Sequence, residues 1–363
     1  MREQVVEEVQ VMMTPSLSQN PDRDRAYEKH RGRLRFDAWR EEYRTVKEKA
    51  GLFKLPSWAI LRLTGADRKT FLHGMLTNDV QGLKDGEGNY QLFLNAKGKI
   101  QADLRLYDRG GDLLAVARPC LRKTLIDGLN QYIFSEDVEI HDLTDRYTLF
   151  SLQGPDSLAL AAAIAGHENI PRQEYGIASS QTPNGSIAIM RTTPTGEAGF
   201  DFVAPKEESD SFRDRILAAG AAHAGPEVFN MLRLENGAPV CGADLDDHVI
   251  PQEAGLHHAL NFNKGCYLGQ EVVARLHFRG HVNREWTGFV LEADSPKNQS
   301  YQLSHENKIV GKITSAGYSF MLEKWIALGF LRSELREEGA VVTATAQDEQ
   351  LEAGVRPLPF SRS

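Results

Sequence analysis

Cysteine is scarce in this 363-residue sequence, and long apolar runs are missing. The three cysteines, Cys120, Cys241 and Cys266, lie far apart and form no CxxC pair. This spacing excludes a disulfide framework and argues against a self-contained zinc or iron–sulfur site. No stretch approaches the roughly 18 consecutive apolar residues that a membrane-spanning helix needs. We therefore expect a cytoplasmic protein with no membrane partner.

An excess of positive charge is also missing. The chain has 42 Lys and Arg against 50 Asp and Glu, a formal net charge of −8. Nucleic-acid-binding domains usually carry a basic surface, so we expect no direct nucleic-acid partner. The 41% hydrophobic and 25% charged residues are typical of a globular chain, and the length is sufficient for two or three domains.

The residue pattern changes along the chain and predicts an α+β fold. Residues 1–50 form a leader and a charge-rich stretch, whose aromatic spacing favours a docked amphipathic helix over a basic nucleic-acid arm. Residues 51–140 and 141–282 are predicted to form two related α+β units. Residues 283–363 contain short strands separated by turns, which is typical of a C-terminal β-barrel.

A short repeat supports the relation between the two α+β units. The segments LTGAD (63–67) and LQGPD (152–156) each combine a strand end, a glycine and an aspartate before a predicted helix. Asp67 is the predicted N-cap of the first of these helices. Because strands dominate over crossover helices, we expect largely antiparallel pairing.

The most unusual segment is NKGCYLGQEVVAR, residues 263–275. Its glycines bracket Cys266 closely, and the residues from Gln270 onwards are typical of a helix start. A cysteine just before a helix N-terminus, with Lys264 nearby, is expected to favour the thiolate form, so Cys266 is a candidate reactive group. The alternative is a small half-buried cysteine packed in a glycine-rich turn.

This segment also resembles a known family. The run KGCYLGQE (264–271), followed by VVARLHFRGHVNR, resembles the signature of the YgfZ-like folate-binding proteins, which assist iron–sulfur enzymes, including those that modify tRNA. Five further segments resemble the wider superfamily of the glycine-cleavage T-protein, an aminomethyltransferase: LTGADRKTFLHGMLTND (63–79), NAKGKIQADL (95–104), SLQGP (151–155), LRLENGAPVCGADLD (232–246) and PQEAGL (251–256). The resemblance implies a three-domain ring of two related α+β units and a C-terminal β-barrel around a central folate channel.

The family resemblance leaves three functional readings open. The first is a tetrahydrofolate-binding protein that assists iron–sulfur cluster assembly or repair, with iron–sulfur client or assembly proteins as partners. In it Cys266 is the key thiol, and Lys264, Tyr267 and Gln270 lie near the reduced folate. The alternative is a folate-dependent aminomethyltransferase that acts on a lipoylated carrier protein. The third is a folate-carrying protein without chemistry of its own.

Two carboxylates are candidates for the folate site. RTTPTGEAGFD (191–201) is similar to the T-protein's folate-site stretch, and its Glu197 is the first candidate for the pterin anchor, because one carboxylate can accept from two adjacent N–H groups. The alternative role of Glu197 is that of a turn carboxylate. Asp103 is the second candidate, with a catalytic role. The T-protein pattern has two consecutive acids here, whereas this chain has Ala102 before Asp103, which disfavours aminomethyl transfer.

The anionic tail of a folate needs a basic entrance. Residues 261–284 carry a net charge of +3, from four basic residues and one acidic residue: Lys264, Arg275, Arg279, Arg284 and Glu271. We expect this stretch to line the entrance, with Arg275 among its folate contacts. Arg233 is a second candidate for the tail. Its alternative role is an ion pair with Glu235 or Asp244.

We expect no catalytic metal. His277 and His281 have the i, i+4 spacing of a helical metal site, but Gly280 and basic residues surround them. The sequence also has no phosphate-binding glycine loop and no GxSxG motif, so nucleotide hydrolysis and serine hydrolase chemistry are unsupported.

Overall fold

The computed structural model describes residues 21–361 apart from five short gaps: 167–169, 183–184, 294–295, 297–299 and 348. The predicted leader over residues 1–20 lies outside the described residues. The chain divides into two compact units, Met1–Glu41 and Glu42–Ser363. We describe each unit separately.

The described part of the first unit is helical and belongs to helix α1, Pro21–Glu48, as the aromatic spacing predicts. Within this unit the Arg35 guanidinium lies 5.2 Å from the centre of the Trp39 ring. In the second unit, the end of α1 is fixed by Tyr43, whose hydroxyl donates to Glu235 Oε2 at 2.7 Å.

Among the described residues, six further α-helices and seventeen strands belong to the second unit. The helices are α2 (Arg68–Met75), α3 (Arg122–Asn130), α4 (Ser157–Ala165), α5 (Ser209–Ala218), α6 (Pro226–Glu235) and α7 (Gln270–Arg279). The first eleven strands are β1 (Gly51–Leu55), β2 (Ala59–Thr64), β3 (Gly88–Leu94), β4 (Ile100–Asp108), β5 (Leu113–Ala117), β6 (Glu139–Asp142), β7 (Tyr147–Gln153), β8 (Ile177–Thr182), β9 (Gly185–Arg191), β10 (Gly199–Pro205) and β11 (Ala222–His223). The last six are β12 (Arg284–Glu292), β13 (Tyr301–His305), β14 (Lys308–Ser319), β15 (Lys324–Arg332), β16 (Val341–Ala346) and β17 (Glu349–Arg356).

The strands form two open sheets and a closed barrel. One sheet has the order β3-β4-β5-β2-β6, the second has the order β11-β1-β7-β10-β9-β8, and β12 to β17 close the six-stranded barrel. Among the described strands, β1 and β11 form the one parallel pair of named strands. The predicted α+β class, the antiparallel pairing and the C-terminal barrel are therefore confirmed.

Strand pairing crosses the predicted boundary between the α+β units. Strand β1 pairs with β7, although β2 follows it in the chain, and β6 returns to pair with β2. The second sheet thus contains β1 from before the boundary at residues 140 and 141, and β6 of the first sheet spans that boundary. The domain boundaries stay a prediction.

The two repeated segments adopt the same turn. Gly65 and Gly154 have φ angles of +99° and +128°, a region that favours glycine. A Cβ on Gly65 would lie 1.9 Å from the carbonyl oxygen of Asp137, so the backbone approach also requires glycine. Asp67 is the N-cap residue of α2, as predicted, but its side chain makes no capping hydrogen bond. Its carboxylate accepts instead from the backbone N–H of Asp137 at 2.9 Å and fastens the returning chain.

Candidate functional site

One cavity of about 560 Å³ is lined by residues of the β3-β4-β5-β2-β6 sheet, of the barrel, and of loops beside the second open sheet. Strand β4 contributes Asp103 and Arg105, the loop after β9 contributes Thr192, and β12 contributes Glu285 and Trp286. Ligand pockets for drug-sized molecules typically measure about 300–1,000 Å³. The cavity therefore has the size expected of a folate-sized ligand site.

Asp103 has one oxygen bonded and one oxygen free. Its Oδ2 accepts from the Tyr90 hydroxyl at 2.7 Å. Its Oδ1 is buried and, among the described residues, has no hydrogen-bond partner. Burial and the charge of Asp103 raise the pKa of Tyr90 well above its usual value, so Tyr90 stays protonated and keeps donating. A buried carboxylate oxygen without a partner marks a place for a ligand N–H group.

Position 102, where the T-protein pattern has an acid and this chain has Ala102, does not face the cavity. Successive side chains of a strand point to opposite faces, so Ala102 and Asp103 face different surroundings. Ala102 is fully buried in the hydrophobic core with its β3 partner Phe93, whereas Asp103 lines the cavity. Position 102 therefore gives no structural reason to disfavour aminomethyl transfer, and the catalytic role of Asp103 stays a prediction.

Gln252 is a second acceptor in the cavity, which sequence analysis missed. Its Nε2 donates to the Val273 carbonyl at 2.8 Å, which fixes the amide orientation. Its Oε1 is buried and has no partner in the part of the chain that the structure describes. The fixed amide thus leaves a carbonyl oxygen for a bound molecule.

Arg233 lines the cavity, and its charge is already paired. Its Nη1 lies 3.0 Å from Asp244 Oδ2, and both side chains are buried. Further donation to Asn230, Ala238 and Ser315 occupies the remaining guanidinium edges. The ion-pair role for Arg233 is therefore the one seen, and a folate-tail contact stays a prediction.

Glu197 lies beside the cavity rather than in its lining. Its carboxylate accepts from Lys47 Nζ at 2.5 Å, in a turn where Gly196 has a φ of +81°. The neighbouring residues Thr193 and Pro194 do line the cavity. A pterin contact at Glu197 would require the carboxylate to turn from Lys47, and it stays a prediction.

Lys264 attaches the signature segment, KGCYLGQE (264–271), to helix α2. Its Nζ donates to the carbonyl oxygens of His73, Leu76 and Asn78 at 2.6, 2.7 and 2.9 Å. These carbonyls lie at the C-terminal end of α2 and just beyond it, where helices have unpaired acceptors. Lys264 is absent from the cavity lining, so its predicted folate contact has no support from its position.

Cys266 is exposed and precedes helix α7, as predicted. Only one of the two flanking glycines is tightly packed. A Cβ on Gly269, where φ is +80°, would lie 2.5 Å from the Asn95 carbonyl oxygen, while a Cβ on Gly265 would meet open space. The glycine-rich turn around Cys266 is therefore tightly packed at Gly269 and open at Gly265.

Tyr267, Gln270 and Arg275 also lie outside the cavity lining. Tyr267 is buried, and its hydroxyl has no partner among the described residues. Gln270 Oε1 accepts from the Tyr267 backbone N–H at 3.4 Å, and Arg275 is an exposed partner of Glu271 at 2.7 Å. Their predicted folate roles remain predictions.

The basic groups of the cavity are not those of residues 261–284. Arg284 pairs with Glu253 at 3.1 Å outside the lining, and the side chain of Arg279 is outside the described residues. The arginines that line the cavity are Arg105, Arg118, Arg233 and Arg336. They are scattered through the sequence, so no local charge run could reveal them.

Within the described residues, no group of three or more His, Cys, Asp or Glu side chains is arranged to hold a metal ion. In the same part of the chain, none of the helices is long and apolar enough to cross a membrane.

Comparison with known proteins identifies the family. The GCVT N-terminal domain model matches residues 6–264, and the model of the glycine cleavage T-protein C-terminal barrel domain matches residues 284–361. The chain belongs to the glycine-cleavage T-protein family. The exposed Cys266 falls in the short stretch between the two matches.

Two relatives that match this chain over most of its length are both named aminomethyltransferase. An aminomethyltransferase of Prochlorococcus marinus is 29% identical over 344 residues, covering 91% of each chain. One from Rubrobacter xylanophilus is 30% identical over 322 residues, covering 88% of this chain and 86% of the relative. The crystal structure of aminomethyltransferase T of the glycine cleavage system from Bartonella henselae has a TM-score of 0.80 at 23% identity and covers 89% of each chain. That structure supports the fold.

Proposed function

We propose that this T-protein family member transfers an aminomethyl group to a reduced folate, such as tetrahydrofolate, in the central cavity. The relatives named aminomethyltransferase support the reaction class. The observation that carries the proposal is the buried, unpartnered Oδ1 of Asp103 in a cavity of suitable size. A cytoplasmic location and a lipoylated carrier protein as donor belong to the same proposal.

The acceptor groups of the cavity fit a reduced folate. A pterin ring and the amines beside it present several N–H donors, and Asp103 Oδ1 and Gln252 Oε1 are buried acceptors without partners among the described residues. Both side chains are fixed by their second polar atom, to Tyr90 and to the Val273 carbonyl. Fixed acceptors bind at a lower entropic cost than mobile ones.

Asp103 is positioned to manage a proton. When bound, the folate supplies the amines that accept the one-carbon unit. Two carbon–nitrogen bonds form to these amines, and the bonds from the transferred carbon to ammonia and to the carrier sulfur break. Asp103 can hold the N–H of such an amine at Oδ1 and pass its proton to the departing ammonia or thiol, while Tyr90 stabilises the carboxylate through Oδ2. The surrounding cavity limits the access of water, which strengthens these charge-assisted hydrogen bonds.

A transfer assay with the full chain tests the proposal. Purified protein is mixed with tetrahydrofolate and an aminomethyl-lipoyl carrier protein, and ammonia and methylene-tetrahydrofolate are measured together. We expect stoichiometric formation of both products. Folate binding in a parallel calorimetric titration without any transfer would contradict the proposed reaction and leave a folate-binding role.

A second candidate function rests on the signature segment. KGCYLGQE resembles the YgfZ-like proteins, and it places Cys266 on the surface, where another protein can reach it. We therefore keep support of iron–sulfur cluster assembly or repair, including tRNA-modifying enzymes, as the second proposal. One cysteine cannot hold a cluster alone, so iron–sulfur client or assembly proteins would supply the other ligands. Rescue of a cluster-enzyme defect by the wild type but not by Cys266→Ser would support it.

A further inference from the structure

We propose that Arg105 and Arg118, which both lie over the indole ring of Trp58, form a carboxylate-binding subsite of the central cavity. All three side chains line the cavity. The identity of the ligand rests on the proposed folate function, but the subsite itself rests on the geometry of these residues.

Arg105 is a buried guanidinium with one edge occupied and one nitrogen free. Its Nη1 lies 2.5 Å from Asp201 Oδ2 and 3.2 Å from the Thr192 hydroxyl. Its Nη2 is buried and has no hydrogen-bond partner among the described residues. Arg105 is only 7% exposed, so this donor is not satisfied by bulk water. A buried guanidinium N–H without an acceptor indicates a ligand with an acceptor oxygen.

Trp58 brings a second guanidinium to the same place. The Cζ atoms of Arg105 and Arg118 lie 5.3 and 5.4 Å from the centre of its ring. Cations are attracted to aromatic faces within about 6 Å, so the indole holds both side chains, and the Nη2 of Arg105 and the guanidinium of Arg118 keep N–H groups that can donate. In the described part of the chain, Arg118 makes no ion pair or side-chain hydrogen bond of its own.

Within the residues that the structure describes, Arg118 is the guanidinium of this wall that has no ion pair. Arg105 pairs with Asp201, and Arg233 pairs with Asp244, but Arg118 has no carboxylate within ion-pair distance among the described residues. Burial lowers the pKa of Arg233, the charge of Asp244 opposes this effect, and the nearby charge of Arg118 adds to it. An anion bound between Arg105 and Arg118 would give Arg118 the partner that it lacks.

A carboxylate fits the donors better than a neutral group. Its two oxygens can accept in parallel from guanidinium groups, and such pairs are the strongest hydrogen bonds that arginine makes. Two sources share this chemistry. One is the glutamate tail of the reduced folate, and the other is the carboxylate of a small amino acid that donates the one-carbon unit.

Calorimetric titration of the full chain with three probes distinguishes these sources. The probes are tetrahydrofolate, 6-methyltetrahydropterin, which has the ring without a carboxylate, and N-methylglycine. The variants are Arg118→Gln and Arg105→Lys, the second of which retains a cation beside Asp201. Arg191→Gln is the matched control, because Arg191 also lies over a ring, that of Phe200 at 5.9 Å, but does not line the cavity.

We expect both variants to weaken tetrahydrofolate binding about 10- to 100-fold while 6-methyltetrahydropterin binding and the Arg191→Gln control stay at the wild-type level. Loss of N-methylglycine binding instead, with no folate bound by the wild type, would support the subsite and contradict the proposed folate function. Equal weakening of the two pterin probes, no effect of either variant, or no binding of any carboxylate probe would overturn the subsite.

Discussion

The KGCYLGQE segment (264–271) and strand β4 lie in the same compact unit, but their polar groups have different roles. In the segment, Lys264 donates to three carbonyl oxygens and Gln270 accepts from the backbone of Tyr267. The Tyr267 hydroxyl is buried without a partner among the described residues, but it does not line the cavity. On β4, Asp103 and Arg105 each keep one buried polar atom without a partner among the described residues. Satisfied groups fasten the chain, and unsatisfied groups on a cavity wall indicate where a ligand binds.

The segment that is easiest to recognise in the sequence is therefore not the part of the chain that supplies free polar groups to the cavity. The most recognisable segment mainly holds a turn against helix α2 and presents Cys266 outwards. The polar groups of the cavity wall, Asp103 and Arg105, belong to strand β4, of which only the first part lies in a segment that resembles the family. Substitutions in the two regions test this difference in role, and the largest effect is expected at Asp103.

Asp103→Asn is expected to lower aminomethyl transfer by about 10²- to 10⁴-fold, the usual contribution of a general acid or base. Asparagine has nearly the same shape and can still pair with Tyr90, so the fold should be unaffected. The transfer assay measures the rate, and a thermal melt measures the stability. An unchanged rate would remove Asp103 from the chemistry.

Ala102→Asp is expected to destabilise the protein without raising the transfer rate. The new carboxylate would lie in the hydrophobic core, at a cost of several kcal/mol, roughly 3 or more. Denaturant unfolding measures this cost. The matched control is Gln101→Asp, because Gln101 is partly exposed on the same strand. A faster transfer rate in Ala102→Asp would show that this position does face the folate.

These two positions also show what could be predicted from sequence. Strand alternation and turn residues predicted the α+β class, the largely antiparallel pairing and the barrel. Alternation applied to β4 would also have placed Asp103 and Arg105 on one face and Ala102 on the other. The partners of that face could not be predicted, because Asp201 reaches Arg105, and Gln252 reaches the cavity, only through long-range folding. The same is true of the pairing of Glu197 with Lys47.

Lys264→Met is expected to lower the free energy of unfolding by about 2–4 kcal/mol, because it leaves carbonyl groups at the end of α2 without their donor. Lys97→Met is the matched control, since Lys97 is exposed on the neighbouring turn, and it should cost less than about 0.5 kcal/mol. Equal stability of the two variants would show that Lys264 does not fasten the segment.

Acidification is expected to weaken the attachment of Val80 and Gln81 to helix α2. His73 Nδ1 accepts from the backbone N–H groups of Val80 and Gln81, both at 3.3 Å. Burial and then the charge of Lys264 lower the pKa of His73 below 6.5. The folded state therefore binds fewer protons, and its stabilisation is complete above pH 6.5 and is lost as the pH falls below that value. Thermal melts between pH 7.5 and 5.5 should show a smaller shift for His73→Asn than for the wild type.

Cys266→Ser is expected to have the smallest effect on the fold and on aminomethyl transfer, because the thiol is exposed and absent from the cavity lining. Melting temperature, tetrahydrofolate affinity and transfer rate should match the wild type. Loss of cluster-enzyme rescue with normal transfer would assign the segment and the cavity to separate functions. A transfer rate that falls with Cys266→Ser would contradict the division between them, since it would require the thiol to act at the folate site.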